Sequence, residues 1–108
     1  MRLHKLSDEE ITDRAKLPAW TLTEALFWLC GWKSLGIEYE DALDQYFPRG
    51  FKSALQDAKE GNIGKEIQED GKVVYIDRPK NWLAWAKAEK ERKIPIDSGV
   101  QKAIEANS

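Results

Sequence analysis

The stretch TLTEALFWLCG, residues 21 to 31, decides the fold. Thr21 and Glu24 stand three apart as a capping box, in which the hydroxyl accepts from the third helical amide and the carboxylate returns to the cap amide. Leu22, Ala25, Leu26 and Leu29 then recur at helical spacing, while Phe27, Trp28 and Cys30 fill much of the remaining circumference. A helix apolar nearly all round has to be buried. Gly31 can end it in the left-handed conformation. The spacing therefore predicts a buried central helix over 22–30, with the rest of the chain packed around it.

Upstream, Ser7 and Glu10 form a second capping box, with Leu6 and Ile11 placed as a hydrophobic staple. They predict a polar surface helix from Asp8 to just before Pro18. Downstream, Ser34 to Gly36 reads as a turn, and Glu38 to Phe47 as an acidic helix ended by Pro48. Phe51, Ala54, Leu55 and Ala58 form the apolar stripe of the next helix, which Gly61 can cap.

Asp70-Gly71 is the strongest turn signal, because a type I′ turn needs positive φ at both central residues. It predicts a hairpin with strands at about 63–68 and 72–77, in which Glu69 faces Lys72, Ile67 faces Val74 and Lys65 faces Ile76. Ile63, Ile67, Val74 and Ile76 then share the face that needs a helix behind it. Pro79 opens a helix with Trp82, Leu83, Trp85 and Ala86 on its stripe, and Pro95 stops it. Ser98 with Gln101 is a weaker capping box for a short terminal helix holding Val100, Ala103 and Ile104.

The expectation is an α+β domain, mainly helical: helices, then a β-hairpin, then one or two C-terminal helices. That order is winged-helix-like, with residues 50–60 in the recognition position and Asp70-Gly71 at the wing tip. At 108 residues the chain fits one domain over 1–108, able to bury roughly two thirds of its unfolded surface. Its compact core spans about 7–104, leaving 1–5 and 105–108 as loose ends. With 42% hydrophobic and 33% charged residues it is too apolar for a disordered chain and too interrupted by charge for a membrane span. No signal-peptide pattern precedes the first helix, so the expected location is the cytoplasm.

The chain also resembles short, mostly uncharacterised bacterial and prophage proteins that start with Trp-Thr/Ser-x-x-Glu-Ala and finish with Pro-x-x-aromatic-x-x-Trp-Ala. Trp20, Thr21, Glu24 and Ala25 carry the first part, Phe51, Ala54, Ala58, Gly61 and Ile63 the middle, and Pro79, Trp82, Trp85 and Ala86 the last, with Ile94-Pro95 beyond. The resemblance implies a shared small helical domain of mobile-element origin, and carries over neither a catalytic residue nor a ligand.

Enzymatic chemistry has few candidates. One histidine, His4, and one cysteine, Cys30, do not furnish a structural zinc site, and one cysteine makes no internal disulfide. Cys30, in the most apolar stretch, reads as a small hydrophobe rather than a nucleophile. Gly61 and Gly64 lack the lysine and the spacing of a phosphate loop and read as a helix cap and a strand entry. Asp41 and Asp44 share a helix face, but that face reads as solvated. The sequence thus points to a protein that is not an enzyme, without cofactor or metal, acting by binding another macromolecule.

Charge is segregated. Residues 17–48 carry one lysine against five carboxylates, whereas residues 49–108 carry twelve Lys and Arg against ten Asp and Glu. A protein partner is the leading expectation, bound by the acidic face of Glu38, Asp41 and Asp44 or by a Trp82/Trp85 edge, since tryptophan is enriched in binding hot spots. Two tryptophans three positions apart compete for one small core, and packing under the hairpin against Phe27 and Trp28 is the leading reading of the pair, the partner-binding edge the other. The rival partner is DNA, bound by Arg49, Lys52, Gln56 and Lys59 with Lys72 in the hairpin. Asp57, Glu60, Glu66, Glu69 and Asp70 in the same elements weigh against phosphate affinity, which a homodimer would raise.

Overall fold

The computed structural model describes residues 2–35, 48–88 and 94–107. The elements are β1 (Arg2–Lys5), α1 (Asp8–Ala15), β2 (Trp20–Thr21), α2 (Leu22–Leu29), β3 (Trp32–Leu35), α3 (Pro48–Lys59), β4 (Lys65–Glu69), β5 (Lys72–Asp77), α4 (Pro79–Ala88) and α5 (Ser98–Ala106). It is a small α+β globule of helices and short antiparallel strands. The expected acidic helix over 38–47 lies outside the described residues.

The central helix forms as its sequence dictates. Thr21 Oγ1 accepts from Glu24 N at 3.2 Å and Glu24 Oε1 accepts from Thr21 N at 2.9 Å, closing the capping box. Leu22, Ala25, Leu26, Phe27, Trp28 and Leu29 are all buried. Contacts radiate from α2 to β2, β3, β5, α3, α4 and α5. Gly31 leaves the helix at φ 81°, and the carbonyls beyond the last turn find partners from distant chain: Leu6 N donates to Gly31 O and Asp97 N to Leu29 O, both at 2.8 Å. The Ser7–Glu10 box of α1 closes in the same way.

Four expectations are corrected. Residues 2–5, expected to be loose, pair antiparallel with β3 in the register Arg2↔Leu35 to Lys5↔Trp32, so the expected turn at Ser34 is strand. Only the long-range pairing reveals these strands, because neither carries an alternating apolar pattern of its own. At the other end α5 runs through Ala106, and its cap is Asp97 rather than Ser98: the Asp97 carboxylate accepts from Val100 N at 3.0 Å, while Gln101 Nε2 donates to Glu105 at 2.8 Å.

The hairpin register is the expected one, with Asp70 and Gly71 at φ 52° and 77° and Glu69↔Lys72, Ile67↔Val74 and Lys65↔Ile76 paired. Its buried face is not. Tyr75 and Ile63 enter the core, whereas Ile67, Val74 and Ile76 are half-buried. A third strand completes the sheet: β2 pairs with the other edge of β5, Trp20↔Asp77 and Thr21↔Ile76, in the order β2-β5-β4. Side chains alternate along β5, so Tyr75 enters the core from the face opposite to that of Val74 and Ile76. Gly64, at φ 81°, leaves room here: a Cβ on it would lie 3.3 Å from Tyr75 Cβ and 3.6 Å from the Trp82 ring.

Candidate nucleic-acid interface

The two tryptophans of α4 both belong to the core, which corrects their reading as an exposed edge. Trp82 is 1% exposed and Trp85 9%. They meet edge to face at 6.1 Å, and each indole spends its only donor inside the domain: Trp82 Nε1 on Trp20 O at 3.0 Å and Trp85 Nε1 on Asp57 Oδ2 at 2.9 Å. Two rings three positions apart fit one small core because a second pair, Trp20 and Trp28 at 5.3 Å, broadens it. The other expected protein-binding set, Glu38, Asp41 and Asp44, lies outside the described residues.

The set proposed for nucleic acid is brought together. Arg49, Lys52, Gln56 and Lys59 are all exposed on α3. At 100° per residue they fall within one arc of about 80°, opposite the buried Ala54 and Ala58. Phe51 and Leu55, half-buried against the core cluster, border the arc on one side. Of the two acids in this segment, Asp57 is set off the arc and Glu60 borders it. Asp57 turns aside to receive Trp85, and Glu60 is held at the helix end by Gln56 Nε2 at 3.2 Å and Asn62 Nδ2 at 3.3 Å. The helix stops there in a Schellman pattern, with Gly61 N donating to Ala58 O and Asn62 N to Asp57 O.

Lys72 is exposed near the hairpin tip, but directly opposite Glu69 and beside Asp70, so the hairpin adds little net charge to the arc. Between α3 and the hairpin lies an open groove of about 440 Å³ whose apolar lining includes Leu22, Phe51, Leu55, Val73 and Tyr75, with Glu69 at its edge. Val73 is 49% exposed there.

Groups with shifted acidity lie away from this face and serve the fold. Lys33 Nζ bonds Glu10 Oε2, and with the Ser7 backbone amide holds the Glu10 carboxyl down at about 2. Burial, aided by the Asp97 carboxylate, pushes the Cys30 thiol up to about 12, and its Sγ donates to Leu26 O at 3.2 Å. Such a thiol is a poor nucleophile. His4 is exposed. Among the described residues no group of three or more His, Cys, Asp or Glu is placed to hold a metal ion, and no helix is long and apolar enough to cross a membrane. No family model matches the chain, and no curated protein or solved structure is similar to it, so its function has to be argued from these residues.

Proposed function

We propose that this chain is a non-enzymatic macromolecule-binding module and that its partner is duplex DNA, engaged by the exposed face of α3. The observation that carries this reading is the exposed arc of Arg49, Lys52, Gln56 and Lys59 on one face of α3, away from which Trp85 holds the Asp57 carboxylate. The element order supports it: α1, β2, α2 and α3 precede the hairpin β4–β5, and β2 pairs with β5, an order that would suit a winged-helix-like reading with α3 as the recognition helix. Arg49, Lys52 and Lys59 would neutralise phosphates, and Gln56 can address an adenine edge in the major groove. Glu66, Glu69 and Asp70 limit the hairpin's share, so affinity is modest and strongly salt-dependent.

The test is fluorescence anisotropy on mixed-sequence and selected duplexes over a range of salt. Three to four phosphate contacts predict a log–log slope of roughly −3. Lys52→Glu/Lys59→Glu abolishes binding, and Gln56→Ala relaxes sequence preference while leaving the slope. Absence of binding at low salt, or a charge-reversed variant that binds like the wild type, rejects the proposal.

A second reading is favoured by the half-exposed Val73 in the groove beside Phe51 and Leu55. It assigns the same side of the molecule to a protein segment with apolar anchors and acidic flanks, since Lys52 and Lys59 are the i−3 and i+4 neighbours of Leu55. Peptides selected by display on the wild type, rich in Asp and Glu and lost on Val73→Asp, with no duplex bound, would transfer the assignment to it.

A further inference from the structure

On another part of the surface, the end of α1, the start of α4 and the end of α5 enclose an open cavity of about 510 Å³. Lys16, Arg78 and Lys80 line it, and among the described residues no carboxylate does. All three are exposed, and none makes an ion pair among the described residues. The nearest acid in sequence, Asp77, has its oxygens occupied by Gly64 N at 2.9 Å, Arg78 N at 2.7 Å and Asn81 Nδ2 at 2.6 Å. The end of α5 is closed as well, with Asn107 N donating to Ile104 O and its side chain to Ala103 O. Leu17, 42% exposed, together with Pro79 and Ile104 gives the cavity an apolar part.

We propose that this cavity binds a small phosphate monoester, its dianion held by Lys16, Arg78 and Lys80 and its organic body laid on Leu17 and Pro79. Like charges gathered around one depression repel each other, and an anion that bridges them relieves the repulsion while forming charge-assisted hydrogen bonds. The volume falls in the range of small-ligand sites. Arg78 supplies a planar fork that a phosphate can accept in a bidentate manner, and the two lysines add point charges. The proposal is independent of the α3 face, which uses none of these residues.

The experiment titrates the ¹⁵N-labelled full chain with phenyl phosphate, inorganic phosphate and phenol, following amide shifts, and repeats it with Lys16→Ala/Lys80→Ala and with Arg78→Gln. The expected result is a saturable shift confined to residues around 15–18, 78–80 and 104–107. Phenyl phosphate should bind more tightly than inorganic phosphate, and phenol should shift nothing. Each variant should lose at least about tenfold in affinity at unchanged thermal midpoint. Shifts that persist in both variants, equal response to phenol, or no saturable shift would overturn the proposal. Duplex DNA is the last arm: duplex binding that falls with Lys16→Ala/Lys80→Ala as much as with the α3 variant would also overturn it, by assigning these cations to the nucleic-acid face.

Discussion

Trp85 donates its indole Nε1–H to Asp57 Oδ2 across 2.9 Å, joining α4 to α3 over 28 residues of chain. The bond satisfies the donor of a buried ring and holds the Asp57 carboxylate off the exposed arc of α3. Asp57→Ala leaves the indole N–H without this acceptor and is expected to destabilise the domain by about 1–3 kcal/mol. Asp57→Asn retains an acceptor and costs less, and it leaves duplex binding intact. Urea melts of the two variants, with anisotropy on the folded proteins, check both statements; equal destabilisation by the two substitutions would refute the first.

Gly31 and Gly61 end helices at nearly the same φ, 81° and 82°, but in different surroundings. A Cβ at Gly61 meets nothing within 4 Å, whereas at Gly31 it would stand 3.1 Å from Asp97 Cβ and Cγ. Gly61→Ala therefore carries only the left-handed backbone penalty, about 1 kcal/mol. Gly31→Ala adds displacement of the residue that caps α5, and should cost at least about 1 kcal/mol more. Chemical denaturation of the pair measures the difference directly, and matching midpoints would show that Asp97 yields freely.

Elements whose signals are local are legible in the sequence alone. Capping boxes at Ser7 and Thr21, the glycine ends at Gly31 and Gly61 and the Asp70-Gly71 turn each depend on residues within a few positions, and each forms as expected. What is not legible depends on distant pairing. β1 and β3 exist because Arg2 to Lys5 finds Trp32 to Leu35, and β2, two residues long, is a strand only through its pairing with the far edge of β5. For the site, helical spacing names the α3 residues but does not give their charge balance. Asp57 counts against the surface in sequence; helical spacing already sets it off the arc, and its bond to Trp85, a partner that no periodicity indicates, holds it there. The tryptophan pair of α4 leaves core and edge both open in the sequence, and the distant acceptors Trp20 O and Asp57 Oδ2 that receive the two indoles carry no local signal.

Glu10 gives the acid limb of stability a defined origin. Its carboxyl titrates at about 2 in the folded chain against an ordinary value of 4.5, because Lys33 and the Ser7 amide favour the charged form. A depressed folded value means that the stabilisation is complete above about pH 4.5 and is lost as pH falls towards 2. Glu10→Gln preserves the capping-box geometry and removes the charge. The gap between wild-type and Glu10→Gln unfolding midpoints should close between pH 5 and pH 2, and should narrow in high salt because the pair is near the surface. A gap independent of pH would show that Lys33 contributes packing alone.

Cys30 supplies a probe of opening from the other end of the pH scale. Burial is the main cause of its raised value of about 12, with the Asp97 carboxylate second, against an ordinary 9.0. At pH 8 only about one thiol in ten thousand is ionised, and the thiolate is the reacting species. Modification of the native protein by a thiol reagent should therefore run at the rate of unfolding and reach one equivalent per chain only as denaturant is added. The sign of the linkage is opposite to that of Glu10. Stability is complete below about pH 9 and declines as pH rises towards 12, because the unfolded chain ionises first. Asp97→Asn keeps the cap of α5 and removes the lesser cause, so the protection should persist almost unchanged. Rapid native labelling of the wild type would place the thiol at the surface, and rapid labelling of Asp97→Asn alone would make the carboxylate, rather than burial, the source of its inertness.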